Sequence, residues 1–270
     1  MSDEKSLPPL RDIIKTYGLG AKKSLGQHFL LDANLTDRIA RSAGSLEGKR
    51  VIEIGPGPGG LTRSILSYNP ESLHAIERDQ RCIEALGELQ ATYPTKLHIV
   101  DADALKTDLS TITDAPYVIM SNLPYNIGTA LLINWLADLD KIDRMVLMFQ
   151  KEVAERIAAQ PGTTGYGRLA IITQWLCETR FLFNVDARAF TPPPKVMSAV
   201  IEIVPREAPL AEAEFAKLES VTRAAFGQRR KMLRSSLKSL GINPADANID
   251  PEKRAEQLSI EEFCALARLI

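Results

Sequence analysis

From residue 50 onward, short apolar runs alternate with segments of helical periodicity, and this alternation restricts the fold more than any other feature of the sequence. The first run, Arg50–Ile54, leads into the glycine-rich segment Gly55–Gly60, and apolar residues at helical spacing follow it. Further apolar runs lie at residues 73–77, 97–100, 117–121 and 145–149. Repeated strand and helix segments are typical of βαβ units, so we predict an α/β fold with a mostly parallel sheet covered on both faces.

The pattern changes near residue 205. Two late apolar runs, Phe181–Phe183 and Ala199–Val204, are joined only by a Pro-rich connection, which predicts an antiparallel pair that closes the sheet. Pro205 and Pro209 then mark a boundary, and the pattern beyond them is purely helical. The segment Ser259–Glu262 supplies a capping box for the last helix.

Length and composition agree with two folded domains. A chain of 270 residues with 45% hydrophobic content can bury a full core. We expect one domain over residues 1–206, with an N-terminal extension over 1–48, and a small helical domain over 207–270. No apolar run approaches the ~20 residues of a membrane span, and the start lacks the pattern of a signal peptide. We therefore expect a cytoplasmic protein without membrane association.

Cysteine usage and net charge give little support to a disulfide-stabilised fold, a metal site or general nucleic-acid binding. Cys82, Cys177 and Cys264 lie far apart without C-x-x-C or histidine spacing, so we expect neither a disulfide framework nor a metal site. The net charge of −1 offers no global argument for nucleic-acid binding, which must rest on local patches.

The glycine-rich segment Gly55–Gly60 predicts a nucleotide-like cofactor but leaves its identity open. Its G-x-G-x-x-G pattern fits the dinucleotide fingerprint, and Glu77 at the end of the next strand could hold a ribose hydroxyl pair. Glu53 before the first glycine and Asp103 after the third strand favour S-adenosylmethionine instead, because this ligand carries an adenosine and a cationic sulfonium but no phosphate. The alternative is that Glu77 and Asp103 only cap the helices that follow.

The segment Asn122-Leu123-Pro124-Tyr125 lies where an apolar run ends and a helical pattern begins. Pro124 fixes its own φ and biases Leu123 away from the helical region, so the Asn122 carboxamide oxygen and the Leu123 carbonyl can point into one pocket. An exocyclic amino group fits between these acceptors, and the Tyr125 ring can stack on the base that carries it. A proline turn capped by a buried tyrosine is the alternative.

Four ordered segments resemble motifs of the small-subunit ribosomal RNA adenine dimethyltransferases. They are Lys23–Leu30 (KSLGQHFL), Glu53–Gly57 (EIGPG), Asn122–Tyr125 (NLPY) and Phe190–Ser198 (FTPPPKVMS). The resemblance implies a Rossmann-like S-adenosylmethionine-dependent methyltransferase domain and a small all-helical C-terminal domain. It also implies N6,N6-dimethylation of two adjacent adenosines in a hairpin loop near the 3′ end of 16S rRNA, within a small ribosomal subunit or its precursor. We expect a monomer. One departure is visible, because His28 stands where many relatives carry Asn.

The resemblance also implies a set of site residues. For the cofactor they are His28, Leu30, Glu53, Gly55, Gly57, Glu77, Asp103 and Asn122. For catalysis they are Asn122, Leu123, Pro124, Tyr125 and Phe190. In this assignment Glu77 takes the ribose hydroxyls, Asp103 meets the adenine amine of the cofactor, and Phe190 is a second stacking face opposite Tyr125. A core phenylalanine after a strand is the alternative for Phe190.

RNA contacts are predicted in a stretch without acidic residues between Val221 and Leu240, which we interpret as a basic helical face. The predicted RNA-binding residues are Lys22, Lys23, Arg223, Arg229, Arg230, Lys231 and Arg234. Three other functions compete with a 16S rRNA enzyme: a 23S rRNA or DNA adenine methyltransferase, a non-catalytic ribosome-assembly factor, and an NAD oxidoreductase.

Overall fold

The computed structural model describes residues 7–20, 27–228 and 230–270. Its strands are β1 (Phe29–Leu30), β2 (Arg50–Ile54), β3 (Ser72–Glu77), β4 (Leu97–Asp101), β5 (Tyr117–Asn122), β6 (Ile142–Gln150), β7 (Cys177–Val185), β8 (Phe190–Thr191) and β9 (Ser198–Pro205). Its α-helices are α1 (Leu10–Thr16), α2 (Ala33–Arg41), α3 (Gly60–Ser67), α4 (Gln80–Thr92), α5 (Gly128–Trp135), α6 (Lys151–Ile157), α7 (Arg168–Leu176), α8 (Phe215–Gly227), α9 (Leu233–Ser236) and α10 (Ile260–Ala267). None of the helices described is long and apolar enough to cross a membrane.

The main sheet has seven strands in the order β4-β3-β2-β5-β6-β9-β7. The pairs β3–β4, β2–β3, β2–β5 and β5–β6 are parallel, and β9 is antiparallel to β6. The predicted α/β fold with a mostly parallel sheet is therefore confirmed. The two late strands, β7 and β9, are neighbours at one edge of the sheet, as the apolar runs indicated.

The strand order decides where a ligand can bind. The chain runs outward from β2 through β3 to β4 and then returns to β5 on the other side of β2. Such a reversal opens a crevice beyond the carboxyl ends of the two central strands, and open α/β sheets bind ligands there. β2 is buried along most of its length and β5 up to Ser121, because both are covered on both faces.

A short antiparallel ribbon, which the sequence did not predict, joins two distant segments. β1 pairs with β8 so that Phe29 lies opposite Thr191 and Leu30 opposite Phe190. The ribbon brings the Lys23–Leu30 motif, of which residues 27–30 are described, next to the Phe190–Ser198 motif. It also packs on the glycine turn, since a Cβ added to Gly60 would lie 2.5 Å from the Leu30 carbonyl oxygen.

The chain forms two compact units whose bounds differ from the predicted single boundary at residue 206. The first unit comprises residues 1–151 and 181–203, and the second comprises 152–180 and 204–270. Residues 152–180 belong to the second unit because side chains of α7 and the loop before it share one apolar cluster with α8 and α10. Its buried members include Tyr166, Ile171, Trp175, Leu218, Val221 and Phe263. Ser259 and Glu262 form the predicted capping box at α10.

We predict that Gly60→Ala destabilises the protein, since the new methyl group would meet a backbone carbonyl that cannot move without disturbing β1. The expected loss is about 1–3 kcal/mol in the free energy of unfolding, measured by urea titration. Gly87→Ala in α4 is the matched control, because no atom lies within 4 Å of its added Cβ. The control should be neutral or more stable by up to ~1 kcal/mol. Equal stability of Gly60→Ala and the wild type would contradict the packing of β1 on this turn.

Candidate active site

A cavity of about 130 Å³ lies beyond the carboxyl ends of the central strands. Since one water needs roughly 10–15 Å³ measured in this way, the cavity has room for a small organic ligand. The predicted site residues that line it are His28, Leu30, Glu53, Gly55, Gly57, Glu77, Asp103, Asn122, Leu123, Pro124 and Tyr125. The structure thus collects in one place residues that the sequence separates by up to 97 positions, from His28 to Tyr125.

The glycine turn after β2 requires backbone conformations that favour glycine. Gly55 and Gly57 have φ angles of +65° and +56°. A Cβ at Gly57 would also lie 3.1 Å from the Phe29 ring. The turn is therefore fixed both by its own conformation and by the residues packed against it.

The carboxylate of Glu77 is held by three backbone N–H groups at the floor of the cavity. One oxygen accepts from Arg78 at 2.8 Å and Asp79 at 2.9 Å, and the other accepts from Gly57 at 3.2 Å. Burial raises the pKa of Glu77, and the backbone hydrogen bonds oppose this shift. The residue does not cap α4, because the cap is Asp79. A buried carboxylate fixed in this way retains acceptor capacity for hydroxyl groups of a ligand.

Glu53 is a second buried carboxyl group that lines the cavity. Its side chain is almost fully buried, and its Oε2 atom has no hydrogen-bond partner among the residues described. Burial is the main cause that raises the pKa of Glu53 to about 8; the Thr62 hydroxyl opposes this shift, and the neighbouring charge of Glu77 adds to it. A buried oxygen without a partner is costly, so a ligand that carries a donor would stabilise this site.

Asp103 follows β4 and also lines the cavity. Its carboxylate accepts a hydrogen bond from the Leu105 backbone at 3.1 Å and pairs with Arg78 at 3.3 Å. No described helix begins at Asp103, so the alternative that it caps a helix is wrong. Arg78 was missed in the sequence because an arginine after a strand carries no specific signal.

These groups favour a ligand without phosphate. In a dinucleotide site the N–H groups of the glycine turn face a pyrophosphate. Here the Gly57 N–H is bonded to Glu77, and three carboxyl groups line the cavity against one arginine, Arg78. An anionic pyrophosphate would meet the carboxylates of Glu77 and Asp103, whereas an adenosine joined to a cationic centre would meet acceptors.

Asn122 ends β5 with its side-chain amide anchored. Its Nδ2 donates to the His28 carbonyl at 3.0 Å, which turns Oδ1 to the opposite side of the amide. The Pro124 carbonyl is occupied, because it accepts from Ile127 and Gly128, both at 3.1 Å. Among the described residues no backbone group donates to the Leu123 carbonyl. The Asn122 and Leu123 oxygens are therefore the acceptors that this segment can offer to a ligand.

Three aromatic rings meet beside Asn122. The His28 ring stacks on Tyr125 with centroids 5.4 Å apart and contacts Phe190 edge-on at 6.4 Å. The Tyr125 hydroxyl lies 2.6 Å from Ser198 Oγ, which fixes the Tyr125 ring. Phe190 itself is buried, and its place in β8 brings it to this group although it does not line the cavity. Ser198 belongs to the last sequence motif, and in the structure its hydroxyl orients the Tyr125 ring.

The stretch from Val221 to Leu240 does not form the single basic helical face that we predicted. The predicted residues that the structure describes do not share one helix. α8, which carries Arg223, ends at Gly227, a poor helix former; Arg230 and Lys231 follow it; and Arg234 lies in α9, which begins only at Leu233. Acidic residues from outside the stretch also approach it, since Arg223 pairs with Glu219 at 2.7 Å and Arg234 lies 3.8 Å from Glu252.

The remaining predicted RNA-binding residues fall into two groups. Arg230 and Lys231 are exposed and have no acidic partner in the described part of the chain. Lys22, Lys23 and Arg229 lie outside the described residues. Within the ranges that the structure covers, no group of three or more His, Cys, Asp and Glu side chains could hold a metal ion.

Comparison with known proteins agrees with this geometry over nearly the whole chain. The family model described as ribosomal RNA adenine dimethylase matches residues 18–270. The chain belongs to the ribosomal RNA adenine dimethylase family. Two members named ribosomal RNA small subunit methyltransferase A are similar throughout. The one from Rhodospirillum rubrum is 56% identical over 98% of this chain and 93% of its own length, and the one from Paramagnetospirillum magneticum is 58% identical over 98% and 95%.

Two experimentally solved structures have a fold similar to that of this chain. A dimethyladenosine transferase from Plasmodium falciparum is 26% identical, with a TM-score of 0.75 over 88% of this chain and 96% of its own. The 23S rRNA methyltransferase ErmE is 27% identical, with a TM-score of 0.68 over 89% and 98%. The protein is thus an rRNA adenine dimethyltransferase, and the predictions of a methyltransferase, of its family and of its fold are confirmed.

We predict that Glu53→Gln changes the pH dependence of stability. Below about pH 4.5 the wild-type carboxyl is protonated in both the folded and unfolded states. As the pH rises toward 8 the unfolded state releases this proton while the folded state retains it, so the wild type loses stability. The glutamine variant has no such proton to lose. Its stability relative to the wild type should therefore increase by about 1–4 kcal/mol between pH 5 and pH 8 in urea titrations.

Glu47→Gln is the control for this experiment, because Glu47 is exposed. Its stability should follow the wild-type profile. If Glu53→Gln also followed that profile, the Glu53 carboxyl would be ionised in the folded protein at neutral pH.

Proposed function

We propose that the protein transfers methyl groups from S-adenosylmethionine to N6 of two adjacent adenosines in a hairpin loop near the 3′ end of 16S rRNA. Its substrate is this RNA within a small ribosomal subunit or its precursor, and it acts as a cytoplasmic monomer. The observation that carries the proposal is the pair of acceptors at Asn122 and Leu123 beside a cavity lined with carboxyl groups. The names of the relatives from R. rubrum and P. magneticum support a small-subunit substrate.

The cavity residues fit S-adenosylmethionine, which when bound supplies a methyl group on a cationic sulfur. Glu77 is fixed to accept the two ribose hydroxyls, and Asp103 lines the same cavity and would accept from the adenine amine. The buried Oε2 of Glu53, which has no partner among the described residues, is free to meet a polar group of the ligand near the glycine turn. Gly55 lets the backbone approach the ligand closely, while His28 and Leu30 line the entrance.

Asn122 and Leu123 would act on the target amine. The N6 lone pair of adenine is delocalised into the ring, so it is a weak nucleophile. Two acceptors on the two N–H bonds localise the lone pair and stabilise the positive charge that develops on nitrogen. The hydrogen bond from Asn122 Nδ2 to the His28 carbonyl fixes its oxygen before the substrate arrives. No strong general base is required, since the amine loses its proton after its charge has developed.

Tyr125 and Phe190 would hold the target base outside the RNA helix. An unstacked base regains roughly 1–3 kcal/mol when it stacks on an aromatic side chain. Tyr125 is oriented by Ser198, and Phe190 is buried in β8. Arg230 and Lys231 of the second unit, exposed and without acidic partners among the described residues, are the phosphate contacts that the structure favours.

A large-subunit substrate is the second candidate, because the 23S rRNA methyltransferase ErmE has a similar structure. The experiment supplies the protein and S-adenosylmethionine to small and large subunits from cells that lack the protein. Mass spectrometry of the RNA should find dimethyladenosine at two adjacent positions near the 3′ end of 16S rRNA. Dimethyladenosine in 23S rRNA alone would overturn the proposal in favour of the second candidate.

We predict that Asn122→Ala separates chemistry from binding. Loss of its acceptor should lower the single-turnover rate of methyl transfer ~100-fold or more, with little change in affinity for small subunits. Glu77→Ala should instead weaken binding of S-adenosylmethionine by roughly 10- to 100-fold, since a charge-assisted hydrogen bond contributes about 1.5–3 kcal/mol. Asn134→Ala, an exposed position in α5, is the control and should leave both unchanged. A normal rate with lost RNA binding would make Asn122 a recognition residue.

We predict that the double variant Arg230→Ala, Lys231→Ala binds small subunits with a weaker dependence on salt. Each lost phosphate contact should reduce the slope of log affinity against log salt by roughly 0.7–0.9. Arg223→Ala should change the slope less, because Glu219 already neutralises that charge. S-adenosylmethionine binding, measured by calorimetry, should stay unchanged in all variants. An unaltered slope in the double variant would mean that these two side chains lie away from the RNA.

A further inference from the structure

His28 occupies a position that its sequence motif does not explain. Residues 27–30 line the cavity, yet the His28 ring lies against Tyr125 and Phe190. It covers a face of Tyr125 at a centroid distance of 5.4 Å with planes inclined by 30°, and it meets Phe190 edge-on at 6.4 Å. These are the two rings between which the target base is expected to stack.

The His28 ring is anchored by one hydrogen bond. Its Nδ1 lies 2.8 Å from the Pro192 carbonyl oxygen, and because a carbonyl only accepts, Nδ1 carries the proton. The carbonyl of His28 accepts from Asn122 Nδ2 at 3.0 Å. The backbone of His28 is therefore tied to Asn122, while among the described residues its side chain is held by one hydrogen bond and by ring contacts. Rotation about χ1 and χ2 can release the ring without moving the backbone.

We propose that His28 is a positioning residue whose imidazole substitutes for the target adenine in the free protein and leaves the Tyr125 face when the base enters. The inference rests on the proposed function, since it needs a base that stacks on Tyr125. Imidazole is flat and aromatic, so it keeps water from the Tyr125 ring as a base would.

Because the His28 ring occupies the Tyr125 face, binding of the target base should be weakened by a measurable amount. Entry of adenine must break the stack of His28 on Tyr125 and the hydrogen bond to Pro192. Since aromatic pairs are stabilised by about 0.5–1.5 kcal/mol, removing the imidazole should tighten binding of a base by about 2- to 10-fold. A residue that only supports the fold, or that stays stacked on the bound base, would give the opposite change or none.

The experiment uses the full chain saturated with S-adenosylhomocysteine, so that added adenosine cannot fill the cofactor site. The sequence contains three histidines, so aromatic NMR resolves the His28 ring, which is assigned by its nuclear Overhauser contacts with the Tyr125 and Phe190 rings. Adenosine should shift the His28 signals toward those of an unstacked imidazole and leave His74 and His98 unchanged. His28→Ala should bind adenosine about 2- to 10-fold more tightly. His98→Ala, on β4 and outside the cavity lining, is the control and should bind it like the wild type.

Three results would overturn the inference. The His28 signals could stay unchanged while adenosine shifts those of Tyr125, or His28→Ala could bind adenosine more weakly than the wild type or not at all. The first measurement needs no variant, so it holds even if His28→Ala folds poorly. Failure of S-adenosylhomocysteine to bind would instead overturn the proposed function itself, and the two failures are therefore distinguishable.

Discussion

The hydrogen bond from the Gly57 N–H to the Glu77 carboxylate is the contact on which the cavity depends. It joins the turn after β2 to the end of β3, and it takes the donor that a phosphate would otherwise use. Because the same carboxylate accepts from Arg78 and Asp79, its orientation is fixed by backbone groups rather than by a mobile side chain. A turn of this kind favours ligand hydroxyls over a pyrophosphate, although its glycine spacing is the same in both classes of site.

The ribbon of β1 and β8 joins the cavity at the glycine turn to the aromatic rings beside Asn122. It sets Leu30 against the glycine turn and Phe190 beside the aromatic group, and it places the His28 carbonyl where it can accept from Asn122. The proposed cofactor cavity and the proposed face for the target base thus share one short piece of backbone.

The second unit shows why charge in a sequence and charge on a surface differ. The stretch from Val221 to Leu240 contains no acid, but Glu219 and Glu252 approach two of its arginines from outside. Partnered charges contribute less to the field that a polyanion meets, and the exposed pair Arg230 and Lys231 contributes more. The stretch remains a proposed RNA contact, with the contribution concentrated in fewer residues.

The sequence by itself determined the α/β fold, the family and eleven of the 24 residues that line the cavity. Apolar runs fix strands by burial, and the Gly55–Gly60 and Asn122–Tyr125 segments fix turns through the conformations that Gly and Pro require. Glu77 and Asp103 were predicted from their places at strand ends, since the carboxyl ends of parallel strands meet at one edge. Only the tertiary structure decided three points. A carboxyl oxygen of Glu53 has no partner among the described residues, residues 152–180 belong to the second unit, and the His28 ring stacks on Tyr125. Each depends on contacts between segments far apart in the chain, and no local pattern of residues records such contacts.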